Sequence, residues 1–278
     1  VEIKWTRGTK MYQKMRSEVF VAVVLLSFLP LELGAQAVVE NYTSVTDDRL
    51  INPEEHNWLS YRGTLDGWGY SKLDQINDTN IEELQPVWSF STGVLGGHES
   101  PPIVNDGVMF ITTPGNFLYA IEAATGDLLW RYQHNLPENY IAFHRTNRGV
   151  ALYGDKVYMA TLDARVIALD AMTGEKVWDT PVQDNSFGYY ITMAPLAIDG
   201  KILVGTSGGE LGIRGFVVAL DAESGTEAWR TYTVPGPGEP GNESWPGESW
   251  RTGGAAAWIP GHYDADLGLA YFGTGNPG

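Results

Sequence analysis

Three stretches of this sequence superimpose: LYAIEAATGDLLW (Leu118–Trp130), VIALDAMTGEKVW (Val166–Trp178) and VVALDAESGTEAW (Val217–Trp229). Their tryptophans are 48 and 51 residues apart, and a weaker forerunner, LQPVWSF, carries Trp88, 42 residues before Trp130. A period of this length predicts a propeller or a solenoid, because one such unit cannot bury its apolar face alone. Each copy is an alternating strand, a Thr/Ser-Gly turn and a second strand that ends in tryptophan, which is a β-hairpin. A further strand precedes each hairpin, DGVMFITT at 106–113, GDKVYMAT at 154–161 and GKILVGTS at 200–207. Roughly four strands per repeat make a propeller blade. A fourth such strand, LGLAYFGTG, runs over 267–275, and its hairpin partner is missing from the sequence. The expected fold class is all-β, a β-propeller. The repeated tryptophans are expected to lock blade to blade, and Asp170 and Asp221 to cap turns.

Charge and residue usage narrow the partners. The formal net charge is -16 and cysteine is absent. So acidic a chain lacks the basic surface that a nucleic-acid partner requires. Without cysteine there is no disulfide, thiol nucleophile or thiolate metal site. The histidines, His56, His98, His134, His144 and His262, show no His-x-x-x-His spacing and give zinc little support.

The N-terminal region has a different character. From Met11 it shows a basic start (Lys14, Arg16), an apolar run from Val19 to Leu31 and the small-x-small end Ala35-Gln36-Ala37. Residues 11–37 therefore read as a secretory signal peptide, cleaved before Val38, and predict release into the periplasm. Further on, Thr79 followed by Glu82 suggests a capping box before a short helix that Pro86 ends.

Several polar residues stand at strand ends of different repeats: Glu99, Arg148, Thr192, Glu210 and Asn276. Glu210 lies in SGGELGIRG, where a carboxylate closes an apolar strand on a backbone rich in glycine. In a propeller, equivalent positions of separate blades converge on the axis. Carboxylate and amide oxygens there suit a hard cation such as calcium, with the guanidinium facing an anionic ligand. A satisfied polar network at the mouth of the propeller accounts for the same residues, and both readings stay open at this level.

The motifs GHESPP, NRGVALYGDKVYMATLDARVIALDAMTG, TSGGELGIRG, ESWRTGGAAAW and FGTGNPG, in this order over about 45–278, resemble the pyrroloquinoline-quinone (PQQ)-dependent alcohol dehydrogenases of the methanol/ethanol type. The resemblance implies an eight-bladed propeller of which 38–278 is the N-terminal portion, about half. It implies that Glu210 and Asn276 ligate calcium or a lanthanide. It gives Glu99, Arg148, Thr192 and Ser207 as hydrogen-bond partners of the quinone, Gly208 and Gly209 as points of close backbone approach, and Trp258 as its stacking face. The implied reaction oxidises a primary alcohol to an aldehyde and passes electrons to a c-type cytochrome; a homodimer is compatible with it. Arg214 receives no role.

Two departures stand out. Many members carry adjacent cysteines where this chain has Ala142 and Phe143. The family's catalytic aspartate is expected beyond Gly278, so no catalytic residue is assigned here, and the chain alone is expected to be inactive. The alternative is a non-catalytic secreted propeller that serves as a binding or assembly module.

Overall fold

The structure, a computed structural model, describes Val39 and residues 41–278. The leader read at 11–37 lies outside the described residues. Three four-stranded antiparallel sheets follow one another along the chain, each a meander in sequence order. The first contains β1 (Ile103–Asn105), β2 (Val108–Thr113), β3 (Phe117–Glu122) and β4 (Leu128–Gln133). The second contains β5 (Val150–Tyr153), β6 (Lys156–Ala160), β7 (Arg165–Asp170) and β8 (Lys176–Pro181). The third contains β9 (Leu196–Ile198), β10 (Lys201–Gly205), β11 (Phe216–Asp221) and β12 (Glu227–Tyr232). A pair, β13 (His262–Asp264) and β14 (Leu269–Tyr271), begins a fourth. The strand expected near 267–275 pairs with β13 on its N-terminal side. These sheets are blades of a partial β-propeller.

The three repeats occupy the two outer strands of successive blades in one register. Trp130 faces Ala120, Trp178 faces Ala168 and Trp229 faces Ala219, each beside a bulge one residue further along the inner partner. The indoles reach forward. Trp130 Nε1 donates to the Ala171 carbonyl at 3.1 Å, and Trp178 Nε1 to the Ala222 carbonyl at 3.0 Å. Trp88 Nε1 does the same to the Ala123 carbonyl at 3.0 Å, so the forerunner docks on the first blade as each later tryptophan docks on the next. The turn glycine serves both purposes at Gly225. It has φ +70°, and an added Cβ would lie 2.7 Å from the Trp178 ring. Asp170 and Asp221 cap their turns, accepting from the N–H of Thr173 and of Ser224 at 2.8 Å each.

The core runs between blades. β6 is buried along its whole length, and the inner part of β7 likewise, because each face of the middle sheet meets a neighbouring sheet. Polar links cross the same seams. His134 Nε2 contacts both carboxylate oxygens of Asp163 at 2.9–3.0 Å, and Thr161 Oγ1 donates to Asp163 at 2.6 Å. A short helix, α1 (Asp47–Ile51), is capped by Thr46, and Asp47 accepts from Tyr153 and from the Asp199 N–H, tying the second and third blades.

The capping box expected at Thr79 is not formed. The turn there is a 3-10 turn, Ile81–Glu83, with Asn80 at its N-cap and no side-chain capping bond. Asn77 instead accepts from the backbone N–H and hydroxyl of Thr79, so the threonine hydroxyl is already committed.

Candidate functional site

A cavity of about 650 Å³ opens where the ends of the blades converge. Arg148, Thr192, Ser207, Gly208, Gly209, Glu210, Trp258 and Asn276 all line it. Glu99 lines an adjoining cavity and reaches the first through an ion pair, 2.7 Å from Arg148 Nη2.

Each side chain is placed by local chain geometry. Arg148 stands just before β5, where its N–H donates to the Thr192 carbonyl at 2.9 Å. Its guanidinium is largely buried, lies 4.9 Å from the Trp258 ring centroid, and keeps Nη1 without a partner among the described residues. Burying an unpaired donor is costly unless something accepts from it. Thr192 and Ser207 are both buried, and their hydroxyls lie 2.9 Å apart. Thr192 also reaches the Trp258 carbonyl at 3.4 Å.

Beyond β10 the chain enters a 3-10 turn, Gly209–Leu211, that carries Glu210. Gly208 has φ +106°, and an added Cβ would sit 2.2 Å from the Gly188 carbonyl oxygen. The protein's packing on itself therefore demands this glycine. Glu210 is exposed and lines the cavity. Asn276 is exposed as well, in a segment pinned by Ala255 N–H to its carbonyl at 2.9 Å.

The donor set suits the ligands inferred from the sequence. The Glu210 carboxylate and the Asn276 amide oxygen favour a hard cation. Among the described residues no three acidic or histidine side chains cluster to hold a metal. An unpaired guanidinium N–H, two hydroxyls and an indole face on one wall match a flat, anionic, oxygen-rich molecule.

His144, Tyr190, Ala256 and Thr274 also line the cavity and escaped the sequence reading. Tyr190 had a signal: it stands two residues before Thr192 in extended chain, and such residues share a face. Arg214, unassigned from sequence, is structural. Its guanidinium lies 3.8 Å from the Tyr232 ring centroid and 4.8 Å from that of Trp250, and it pairs with Glu239.

Comparison with known proteins agrees with this fold. The family model for the beta-propeller domain of PQQ-dependent glucose/ethanol/alcohol dehydrogenases matches residues 58–278, and the chain belongs to that family. It is 38% identical to quinoprotein alcohol dehydrogenase PedH of Pseudomonas putida, over 96% of this chain and 47% of that protein. It is 37% identical to the lanthanide-dependent methanol dehydrogenase of Methylacidiphilum fumariolicum, over 84% of this chain and 42% of the relative. Among solved structures, the quinohemoprotein alcohol dehydrogenase ADHIIG of Pseudomonas putida HK5 superimposes with a TM-score of 0.80 at 39% identity, covering 86% of this chain and 37% of that one. The chain spans less than half the length of these relatives.

Proposed function

We propose that the protein of which this chain is part oxidises primary alcohols to aldehydes in the periplasm, using PQQ and a hard cation held in this cavity, and delivers the electrons to a c-type cytochrome. One observation carries the reading: a buried guanidinium with an unpaired N–H shares a single cavity with a hydroxyl pair, an indole face and two hard-cation donors. Arg148 holds quinone carboxylates or carbonyls by charge and hydrogen bond, with Glu99 keeping the guanidinium in place. Thr192 and Ser207 add hydroxyl donors, and Trp258 offers the flat face. Glu210 and Asn276 contribute oxygens to calcium or a lanthanide. When bound, the cation-polarised quinone supplies the hydride acceptor. The chain's own residues orient it and shield it from water. Membership in a family of dehydrogenases argues against a purely structural propeller.

The test is a titration of the full-length apoprotein with PQQ, with calcium or with a lanthanide, followed by quinone absorbance. Saturable, cation-dependent binding is expected, at least tenfold weaker in Arg148→Leu. Glu210→Gln should weaken the cation dependence while the fold persists. Absence of binding to the wild type with either cation overturns the reading.

A further inference from the structure

Glu210 follows β10 of the third blade and Asn276 follows β14, so their spacing depends on what joins the two strand ends. The joint is a strap of backbone, residues 253–256. On one side it meets the chain just past Glu210. The Gly254 N–H donates to the Ile213 carbonyl and the Gly254 carbonyl accepts from the Gly215 N–H, both at 2.8 Å. On the other side it meets the Asn276 segment. The Ala255 N–H donates to the Asn276 carbonyl at 2.9 Å, the Gly275 N–H to the Ala256 carbonyl at 2.8 Å and the Gly278 N–H to the Gly253 carbonyl at 2.9 Å. Trp258, the indole face of the cavity, stands two residues beyond the strap. One short piece of backbone thus carries the register of three cavity-lining residues.

The strap needs support. Ala255 has φ +50°, in the left-handed region that a residue with a Cβ rarely adopts unless its surroundings hold it there. The approach on the Glu210 side is close, since a Cβ added at Gly215 would lie 2.3 Å from the Ala255 carbonyl oxygen. That carbonyl accepts from Thr233 Oγ1 at 2.7 Å. Thr233 comes directly after β12, and its own N–H donates to the Gly215 carbonyl at 2.9 Å. One half-buried threonine, outside the cavity lining, therefore grips the Glu210 side through its backbone and the strap through its hydroxyl.

We propose that Thr233 is a positioning residue for the cation site. Its hydroxyl holds Ala255 in the left-handed conformation that sets the Glu210 turn against the Asn276 segment, so the two oxygens meet one ion already in place. The proposal rests on the proposed reading of the cavity. Donors held in advance bind more tightly, because binding then spares the cost of ordering them.

Thr233→Val keeps the branched shape and removes the hydroxyl, and Thr233→Ser keeps the hydroxyl. In the full-length protein with PQQ, Thr233→Val should bind calcium or a lanthanide about fivefold more weakly, the size of one modest hydrogen bond. Its Ala255 amide should exchange with deuterium faster by a similar factor. PQQ affinity at saturating cation should stay at the wild-type value, which a general loosening of the fold would not allow. Thr233→Ser should restore both cation affinity and exchange. Wild-type cation affinity or wild-type Ala255 exchange in Thr233→Val, a loss of PQQ affinity at saturating cation, or failure of Thr233→Ser to restore, overturns the assignment while the proposed function stands. If the wild type itself shows no cation-dependent PQQ binding, the proposed function falls and the assignment with it.

Discussion

The middle blade and the pair β13–β14 are built from similar sequence and lie in opposite surroundings. In β6 every residue from Lys156 to Ala160 is buried. In β14 every residue is exposed, with Leu269 at 50% and Tyr271 at 51%. Both are short, mostly apolar strands that follow a turn. What differs is the neighbour: β6 has a sheet against each face, and β14 lacks that cover among the described residues. A strand in this architecture is buried by the blade beside it, so its apolar residues acquire their stabilising value only when the next unit is docked. The tryptophans repeat the contrast, with Trp130 fully buried and Trp229 40% exposed.

The largest effect that could break this comparison comes from those tryptophans. In this chain Trp130→Ala should cost about 3–5 kcal/mol, and Trp229→Ala under about 1 kcal/mol, by urea denaturation. Equal costs would mean that docking on the next blade contributes nothing. Next comes the His134–Asp163 link between the first two blades. Burial raises the Asp163 pKa, and hydrogen bonds from His134 and Thr161 more than reverse this, leaving it below the ordinary carboxylate value. A depressed folded pKa means that stability is fully present above the unfolded value of about 3.9 and is lost as pH falls through the folded one. Asp163→Asn should therefore cost about 1.5–3 kcal/mol at pH 7 and flatten the loss of stability below about pH 4. Melting curves over pH 2–7 check both. The smallest effect concerns single hydroxyls. Tyr158 donates to the Ala222 carbonyl of the third blade at 3.1 Å. Tyr158→Phe should cost about 1 kcal/mol, and Tyr271→Phe on the exposed strand less than about 0.5 kcal/mol.

How far the sequence reached follows the same division between local and long-range causes. The hairpins, their turn aspartates and the register of the tryptophans were legible because turn chemistry and strand alternation act over a dozen residues. The short inner strands, such as Ile103–Asn105 and Leu196–Ile198, were not individually legible, since three residues carry too little periodicity. Thr79 failed as a cap because Asn77, two residues away, took its hydroxyl. At the site, the motifs singled out Glu99, Arg148, Thr192, Ser207 and Glu210, and the structure brings them to one place or into direct contact. The exposure of Glu210 could not be read, because it depends on where a 3-10 turn leaves the strand. Asn185 was hidden for a further reason: it holds the backbone of Ile141, 44 residues back, on a segment without secondary structure.

The tryptophan-to-carbonyl contact has a direction. Each blade offers a plug on one side, its indole, and a socket on the other, the carbonyl after its third strand. Such a head-to-tail joint joins unlike surfaces and contains no stopping rule. Trp88, Trp130 and Trp178 make the same joint at 3.0–3.1 Å, so no single seam distinguishes one blade from the next. The number of units in a finished ring must then be set by the small rotation that every joint repeats, and a change of a few degrees at one joint would be felt as a gap or a clash on the far side of the circle.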